Sequence, residues 1–374
     1  MTTTSLEPAI DPNNRMSFLL DWEVTMKCNL DCSYCPTGIH GGHDNSTAHP
    51  KLKDCLRTID FMFKYVDIHM SQRIPGMRYV VLNMYGGESL HHPDAIEILQ
   101  EVRNRYQPYQ DRWHLTITTT TNAIIHARKF DQVIPLVDEF TCSYHTENSQ
   151  EDQTIFKNNL LKIKAAGRRV KCIVLMHAEP EKFAQAQDMI EWCVANGVRH
   201  LARQLDHPED QTQFNYSAEQ VVWFDRLYQQ RNHNAELEVE YKQVNNAVDL
   251  ADSGRACCGG RQMCSNQNYR QRTSYVVNKF PDWYCSVNQF FLYVKQVNGE
   301  IYTNRDCKMN FASEIGPIGM LGNTDALLAQ AQAQVDIGYT DVIQCKKSRC
   351  LCGLCAPKAK NLDTFKQLME KYRL

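Results

Sequence analysis

The sequence predicts an α/β fold: six strand–helix units, followed by a small cysteine-rich part of α+β structure that contains a β-hairpin. From residue 18 to about residue 232, short apolar runs alternate with longer stretches of helical periodicity, a pattern typical of parallel strands joined by helices. Beyond this range the alternation stops, and nine of the sixteen cysteines lie between Cys257 and Cys355. A chain of 374 residues is long enough for one large domain and a smaller one.

The apolar runs define six strands, and the amphipathic stretches define helices between them. The strands are predicted at Leu19–Thr25, Tyr79–Met84, Leu115–Thr120, Glu139–Tyr144, Val170–Met176 and His200–Leu205. Helices are predicted, among others, at Leu52–Ile68, Asp94–Tyr106, Asp152–Ala166, Lys182–Ala195 and Ala218–Arg231. Four cysteines in apolar or helical contexts are predicted core residues: Cys55, Cys142, Cys172 and Cys193.

The cysteine-rich part contains one clear local signal. From Gln289 to Cys307 the residues alternate around Asn298-Gly299, a dipeptide that strongly favours a hairpin turn. We therefore predict four segments: an N-terminal extension at 1–17, a barrel domain at 18–232, a polar linker at 233–256 and a cysteine-rich domain at 257–374.

Charge and hydropathy exclude several classes of protein. The formal net charge is −2 and the isoelectric point is about 6.7, so no strong field draws the chain to nucleic acid or anionic lipid. No run of about 18 apolar residues predicts a membrane span, and the N-terminus lacks the basic and apolar segments of a secretory signal. We expect a cytoplasmic protein with no nucleic-acid or membrane partner, whose cysteines are not paired in disulfides because that compartment is reducing.

Three cysteines directly after the first predicted strand form the most informative motif. Cys28, Cys32 and Cys35 have the spacing CxxxCxxC. Three thiolates this close together can hold three corners of a cubane iron–sulfur cluster and leave the fourth iron open for a ligand. Zinc is the alternative, although zinc motifs usually run as paired CxxC units with four ligands close by.

The triplet, the aromatic Tyr34 before its last cysteine and the Tyr-Gly-Gly-Glu-Ser run at 85–89 together resemble the radical S-adenosylmethionine (SAM) enzymes. The resemblance implies a partial (β/α)6 TIM-type barrel, which matches the six predicted units, whereas a full barrel has eight. It also implies a [4Fe-4S] cluster on the triplet whose open iron chelates SAM, and an electron donor such as flavodoxin or ferredoxin. Reductive cleavage of SAM gives a 5′-deoxyadenosyl radical that abstracts a hydrogen atom from a substrate.

The resemblance assigns SAM binding to residues near the second strand and the triplet. Gly86 and Gly87 allow the backbone to approach a ligand closely. Glu88 beside them is expected to accept a hydrogen bond from the SAM ammonium group. Tyr34 is predicted either to stack on adenine or to fill the loop around the cluster.

Polar residues at the other strand ends are further candidates, because active sites of parallel barrels form there. Asn122 and Ser143, at the ends of the third and fourth strands, are candidates to hold the ribose hydroxyls and the methionine carboxylate. Arg203 on the sixth strand is a candidate partner for that carboxylate. An ordinary polar residue at the barrel rim is the alternative for each of the three. His145, His177 and His207 also reach the predicted mouth, as an acid or base or as packed side chains.

The cysteines that flank the hairpin, followed by Cys350-Leu-Cys352-Gly-Leu-Cys355, resemble the auxiliary-cluster domains called SPASM and twitch in the same family. The resemblance implies one or two auxiliary [4Fe-4S] clusters. One would use Cys285, Cys307, Cys352 and Cys355. A second would use Cys264, Cys345, Cys350 and either Cys257 or Cys258. The number of clusters stays open, because the seven residues between Gly299 and Cys307 exceed the family spacing and Cys345-Lys-Lys-Ser-Arg-Cys350 replaces the usual closely spaced pair. Zinc at one of these sites also stays open, because tetrahedral thiolate sites suit that ion too.

The resemblance implies two enzymatic functions. The first is hydrogen abstraction from a peptide or protein substrate, which leads to oxidation or crosslinking with the help of the auxiliary clusters. The second is dehydrogenation or epimerisation of a small metabolite such as a sugar or aminoglycoside precursor. About 17 residues precede the first strand, so we expect no small N-terminal domain of the kind that grips a leader peptide. A non-catalytic iron–sulfur or zinc-binding protein is the third possibility, and the intact triplet disfavours it.

Overall fold

A nine-stranded sheet, one face of which packs against helices, dominates the computed structural model of this chain. The structure describes residues 17–35, 48–71, 78–207, 214–227, 282–305, 307–336, 342–346 and 358–370. Six parallel strands, β1 to β6, lie side by side in chain order, as expected of consecutive strand–helix–strand units. Three strands from the cysteine-rich part extend the sheet beyond β1.

The strands and helices of the barrel agree with the sequence-based bounds to within two residues where both are described. The strands are β1 (Phe18–Thr25), β2 (Tyr79–Gly86), β3 (His114–Thr121), β4 (Glu139–Tyr144), β5 (Arg169–Met176) and β6 (Arg199–Gln204). The helices are α1 (Leu52–Met70), α2 (Ala95–Tyr106), α3 (Ala127–Val133), α4 (Gln150–Ala165), α5 (Pro180–Ala195) and α6, described over 218–227. Within the described residues, no helix is both long and apolar enough to cross a membrane.

Every second side chain of each strand enters one hydrophobic core that the strands share with the helices. On β1 these side chains are Phe18, Leu20, Trp22 and Val24, all fully buried. The residues between them, among them Asp21 and Glu23, lie on the opposite face, because successive side chains of a strand alternate. We call this opposite face the inner face of the sheet. The prediction of four core cysteines is confirmed, since Cys55, Cys142, Cys172 and Cys193 are fully buried.

The hairpin predicted around Asn298-Gly299 is present, but it belongs to the sheet of the barrel. It consists of β8 (Phe291–Lys295) and β9 (Glu300–Tyr302), which are antiparallel. Gly299 closes the turn with a φ of 75°, a conformation that favours glycine. β9 is followed by β10 (Gly319–Met320) at the edge of the sheet and by α7 (Thr324–Asp336), which packs against α1.

On its other side β8 pairs in parallel with β1, with Leu19 opposite Phe291. Side chains cross this seam: Trp22 Nε1 donates to Gln296 Oε1 at 3.0 Å. The sequence predicts that the hairpin belongs to the C-terminal part. This prediction is wrong, because the hairpin residues Leu292, Val294 and Ile301 are buried in the core of the barrel. The physical reason is that β8 lies between two strands and covers the edge of β1, which would otherwise present unpaired backbone groups. The predicted linker and its boundaries lie outside the described residues and stay predictions.

A second, smaller sheet carries the described part of the remaining cysteine-rich segment. It contains β7 (Tyr284–Cys285), β11 (Ile343–Gln344) and β12 (Lys358–Ala359), with β7 in the middle. The helix α8 (Leu362–Glu370) packs against this sheet through the buried Phe365. The hydrophobic cluster of this unit is distinct from the core of the barrel but includes Phe291 of β8 and packs against Leu19 of β1.

Truncating a buried side chain on β8 will test whether the hairpin belongs to the cooperative core. Val294 is fully buried, so Val294→Ala removes two methyl groups from the core and leaves a cavity. We expect the free energy of unfolding to fall by about 2 kcal/mol, measured by denaturant unfolding followed by circular dichroism.

Val194→Ala is the matched control, because Val194 on α5 is 66% exposed. This control should change the free energy of unfolding by less than about 0.5 kcal/mol. If Val294→Ala unfolds at the same denaturant concentration as the wild type, β8 is not part of the barrel core.

Candidate active site

The cysteine loop, residues 26–35, follows β1 and carries the triplet. Cys32 is buried, and Cys28 and Cys35 are half-buried. The Leu30 N–H donates to Cys28 Sγ at 3.4 Å, and Asn122 Nδ2 lies 3.8 Å from the same sulfur. Hydrogen bonds to cysteine sulfur stabilise its thiolate form and tune an attached iron–sulfur cluster.

Burial makes the three thiols poor acids. It raises the pKa of Cys28 to about 11 and those of Cys32 and Cys35 to about 12. Repulsion by the neighbouring thiols adds to the effect of burial for Cys32 and Cys35. Burial and mutual repulsion therefore favour the protonated thiols at this place unless a positive charge lies close to the sulfurs.

A cubane cluster and a single metal ion make different demands on the geometry of this loop. In a cubane each cysteine ligates a different iron, so the three sulfurs need not meet at one point. A zinc ion needs several ligands within bonding distance of one centre. In the part of the chain that the structure describes, no three His, Cys, Asp or Glu side chains converge in that way.

Gly86 and Gly87 bring the end of β2 into direct contact with the backbone that leads into the cysteine loop. The Gly87 N–H donates to Thr25 O at 2.9 Å, and the Glu88 N–H donates to Lys27 O at 2.8 Å. A Cβ atom on Gly86, whose φ is 151°, would lie 2.0 Å from Thr25 O, and one on Gly87 would lie 2.4 Å from Lys27 O. The close approach expected of these glycines therefore involves the cysteine loop, and their contact with a ligand stays a prediction.

Glu88 joins the ends of β2 and β3 from a fully buried position. Its Oε1 accepts a hydrogen bond from the Leu90 N–H at 3.0 Å, and its Oε2 accepts one from the Asn122 N–H at 2.6 Å. Burial raises the pKa of Glu88 to about 7 in spite of these hydrogen bonds. Both carboxylate oxygens are thus engaged with the protein. The Thr121 side chain bonds to the same carboxylate, and the predicted bond to the SAM ammonium group stays a prediction.

Asn122 holds the cysteine loop from the end of β3. Its Nδ2 donates to Asn29 Oδ1 at 2.7 Å, and Asn29 Nδ2 in turn donates to Ile124 O at 3.0 Å. The Asn122 side chain is buried and oriented by the Ile124 N–H, which donates to Asn122 Oδ1 at 2.9 Å. The structure therefore places Asn122 beside the triplet. Its contact with the ribose or the carboxylate of SAM stays a prediction.

The segment after β4 holds the other side of the loop. Tyr34 stacks on His145 with ring centroids 5.9 Å apart, and its hydroxyl lies 2.8 Å from His145 Nδ1. The same nitrogen lies 3.3 Å from Cys32 Sγ. Tyr34 thus packs within the loop, and its stacking on adenine stays a prediction. Glu147, which the sequence analysis missed, accepts hydrogen bonds from the Ser33 N–H at 2.8 Å and from Ser33 Oγ at 2.7 Å.

The remaining predicted residues lie farther along the sheet. Ser143 is half-buried on the inner face of β4, and Arg203 is exposed on β6. No hydrogen bond joins either residue to the cysteine loop among the described residues. His177 lies 3.9 Å from Glu147, and both His177 and His207 pack against the ring of Phe214.

Three predicted auxiliary ligands are described, and all of them are buried: Cys285, Cys307 and Cys345. Cys285 and Cys307 share the hydrophobic cluster of the small sheet. The Cys345 N–H donates to Trp283 O at 2.9 Å, which places Cys345 next to β7. The other candidates, Cys257, Cys258, Cys264, Cys350, Cys352 and Cys355, lie outside the described residues. The grouping of these cysteines into clusters therefore stays a prediction.

The sequence analysis also missed a buried carboxylate with aromatic neighbours on the inner face, Glu23 with Tyr85 and Tyr293. The available signal was a glutamate between Trp22 and Val24 in an apolar strand, directly before the triplet. The partner Tyr293 lies 270 residues away in sequence, so no local pattern could reveal it.

The partial TIM-type barrel with its cysteine loop and C-terminal hairpin has the fold of the radical SAM enzymes that carry an auxiliary domain. The predicted fold is thereby confirmed. The structure of native anSMEcpe with bound AdoMet and the Cp18Cys peptide matches 95% of this chain and 96% of its own, with a TM-score of 0.50 and 10% sequence identity.

A second similar structure is that of Streptococcus suis SuiB bound to S-adenosylmethionine, with a TM-score of 0.44 and 13% identity. The match covers 78% of this chain and 60% of SuiB, less than two thirds of its length. At sequence identities of 10% and 13% the likeness establishes the fold alone. No protein-family model and no curated protein matches this chain.

The bridging role of Glu88 predicts a large effect of a nearly isosteric change. Glu88→Gln replaces one acceptor oxygen by an NH2 group, so the N–H of Leu90 or Asn122 then faces a donor. We expect the free energy of unfolding to fall by about 1–3 kcal/mol in denaturant unfolding. Glu191→Gln, on an exposed position of α5, is the control and should change it by less than about 0.5 kcal/mol.

The same variant should also change the pH dependence of stability. The pKa of Glu88 is raised from 4.5 to about 7, so the folded state binds this proton more tightly than the unfolded state does. The contribution of Glu88 is therefore full below 4.5 and is lost as the pH rises to about 7. A wild type and a Glu88→Gln variant with the same slope over this interval would contradict this assignment.

Proposed function

We propose that this chain is a radical SAM enzyme that acts on a peptide or protein substrate. Cys28, Cys32 and Cys35 would hold a [4Fe-4S] cluster, which when bound and reduced supplies the electron that cleaves SAM to methionine and a 5′-deoxyadenosyl radical. The observation that carries the proposal is the triplet on a loop hydrogen-bonded to the carboxyl ends of β2 and β3. Active sites of parallel barrels lie at these ends.

The residues around the triplet have distinct parts in this function. The N–H groups that point at Cys28 Sγ, from Leu30 and Asn122, favour its thiolate form. Tyr34 covers Cys32, which is 8% exposed, and so limits the access of water to that sulfur. Gly86, Gly87, Glu88 and Asn122 fix the loop against the sheet, and Ser143 and Arg203 are the proposed additional contacts to SAM.

Support for a peptide or protein substrate comes from anSMEcpe, whose structure with a bound peptide shares this fold over nearly the whole chain. We propose that the 5′-deoxyadenosyl radical takes a hydrogen atom from the peptide, and that the resulting radical is oxidised or forms a crosslink. In oxidation the substrate loses one further electron and a proton. We propose one or two auxiliary [4Fe-4S] clusters in the cysteine-rich part as the electron acceptor, and a flavodoxin or ferredoxin as the donor that reduces the first cluster.

Removing the triplet will test the proposed chemistry. Replacing Cys28, Cys32 and Cys35 together by alanine should abolish the formation of 5′-deoxyadenosine from SAM with dithionite as reductant. After anaerobic reconstitution, the iron content should fall by about four atoms per chain, from about 12 or about 8 according to the number of auxiliary clusters.

Cys55→Ala is the matched control, because Cys55 is a fully buried core cysteine on α1. It should keep both the iron content and the cleavage of SAM. Undiminished 5′-deoxyadenosine formation by the triple variant would refute the assignment of the triplet.

A substitution in the small sheet should affect the proposed auxiliary cluster without affecting the cleavage of SAM. Cys285→Ala alters the cluster of residues around β7 and leaves the triplet intact. We expect the iron content to fall by about four atoms per chain while SAM cleavage continues, as measured by iron and 5′-deoxyadenosine assays on the reconstituted protein. An unchanged iron content in this variant would remove Cys285 from the proposed ligands.

A further inference from the structure

Glu23, Tyr85 and Tyr293 meet on the inner face where β8 joins the barrel. In the register of the sheet, Glu23 lies opposite Tyr85 on β2 and opposite Lys295 on β8. Glu23 is two residues from the end of β1, and Tyr85 directly precedes Gly86. The group therefore lies at the carboxyl ends of the strands, next to the residues that hold the cysteine loop.

Tyr293 holds the carboxylate in place and is itself packed between two other tyrosines. The ring of Tyr293 lies between those of Tyr85 and Tyr302, with centroid distances of 6.2 and 5.7 Å and the same interplanar angle of 23°. The Tyr293 hydroxyl donates to Glu23 Oε2 at 2.9 Å. Glu23 is only 2% exposed, and all three rings are buried. The position of the carboxylate is thus fixed before any ligand binds.

Two polar atoms of this group have no hydrogen-bond partner among the described residues: Glu23 Oε1 and the Tyr85 hydroxyl. Burial raises the pKa of Tyr85 and that of Tyr293, and their neighbouring hydroxyls interact over more than an ordinary hydrogen-bond distance, so the Tyr85 hydroxyl has no partner at such a distance. Burying a polar atom without a partner is costly, and native proteins rarely do so without a reason. Glu23 Oε1 can accept a hydrogen bond, and the Tyr85 hydroxyl can accept or donate one. The two groups therefore suit a ligand that donates a hydrogen bond.

Cations around the group indicate the charge of this ligand. Arg305 lies over the ring of Tyr85, and Lys308 lies over that of Tyr302. Burial raises the pKa of Glu23, whereas the Tyr293 hydrogen bond and the charges of Lys295, Lys308 and Arg305 lower it. The net effect is a raised pKa, because burial outweighs these interactions, and the cations place positive charge beside the carboxylate. A cationic ligand would therefore gain less here than an uncharged one.

We propose that Glu23 and Tyr85 form a binding site for an uncharged N–H or O–H donor of the substrate, with Tyr293 as the residue that positions Glu23. This inference rests on the proposed function for the identity of that substrate, which would present a peptide amide or a side-chain hydroxyl or amide. The site lies at the ends of the strands that contact the cysteine loop, so a bound donor group would hold the substrate at the same end of the barrel as the triplet.

The substrate-free protein offers a first test. Tyr85→Phe removes a hydroxyl without a partner, so the melting temperature should stay unchanged or rise. Tyr144→Phe is the matched control, because the buried Tyr144 hydroxyl donates to Gln153 Oε1 at 3.0 Å. Its loss should lower the melting temperature by about 2 °C. An equal fall in both variants would show that the Tyr85 hydroxyl has a partner in the protein and would overturn the proposal.

Binding of a small probe tests the site directly. The probe is N-acetylserinamide, an uncharged donor of N–H and O–H groups, added to the reconstituted wild-type protein and followed by saturation-transfer NMR. Glu23→Gln can keep the bond from Tyr293 through its oxygen, but it presents an NH2 group where Oε1 stood. We expect binding of the probe to weaken at least about fivefold in Glu23→Gln, and to remain at the wild-type level in Glu191→Gln.

Undetectable binding to the wild type, equal binding to Glu23→Gln, or a preference for methylammonium over the uncharged probe would each overturn the proposal. The assay of SAM cleavage by the wild type separates this inference from the proposed function. If SAM is cleaved but the probe result fails, only the binding site is wrong. If SAM is not cleaved and the probe binds as expected, the site stands and the proposed function fails.

Discussion

At the end of β2, two glycines bring their backbone into hydrogen-bonding contact with the residues between β1 and the triplet. The backbone of Thr25 and Lys27 occupies the space that a Cβ atom on Gly86 or Gly87 would need. The position of the whole cysteine loop depends on this contact, because the loop has no regular secondary structure of its own. Glu88 extends the same contact to β3 through the Asn122 N–H. The ends of β1, β2 and β3 are thereby joined at the base of the cysteine loop.

The seam between β1 and β8 determines how the cysteine-rich part is attached. Cys285 ends β7 shortly before β8 begins, and Cys307 follows β9 closely. Both cysteines therefore flank a hairpin whose first strand is fixed in the barrel core by Leu292 and Val294. Because the chain between each cysteine and the hairpin is short, their distance from the barrel is restricted. A linker at 233–256 alone would not impose such a restriction.

The features that could be predicted are those that depend on residues close together in the sequence. The strand and helix bounds follow from periodicity, and the triplet and Gly86-Gly87 are local motifs. The β1–β8 pairing could not be predicted, since β8 has the pattern of any hairpin strand and its partner lies far away in the sequence. The bridge from Glu88 to Asn122 was also not predicted. A glutamate after two glycines fits the family's ligand role. Only the fold shows that its carboxylate accepts hydrogen bonds from two backbone N–H groups.

The inner face shows how a fold can favour function over its own stability. The neighbouring layer of the sheet is satisfied internally, since Asn83 Nδ2 donates to Asp21 Oδ1 and Thr118 Oγ1 donates to Asn83 Oδ1. One layer closer to the strand ends, Glu23 Oε1 and the Tyr85 hydroxyl lack such partners among the described residues. The same strands pair their polar side chains two residues earlier, at Asp21 and Asn83. The lack of partners at Glu23 Oε1 and the Tyr85 hydroxyl is therefore not a general property of this sheet. Their place beside the cysteine loop is where a substrate would supply the missing partner.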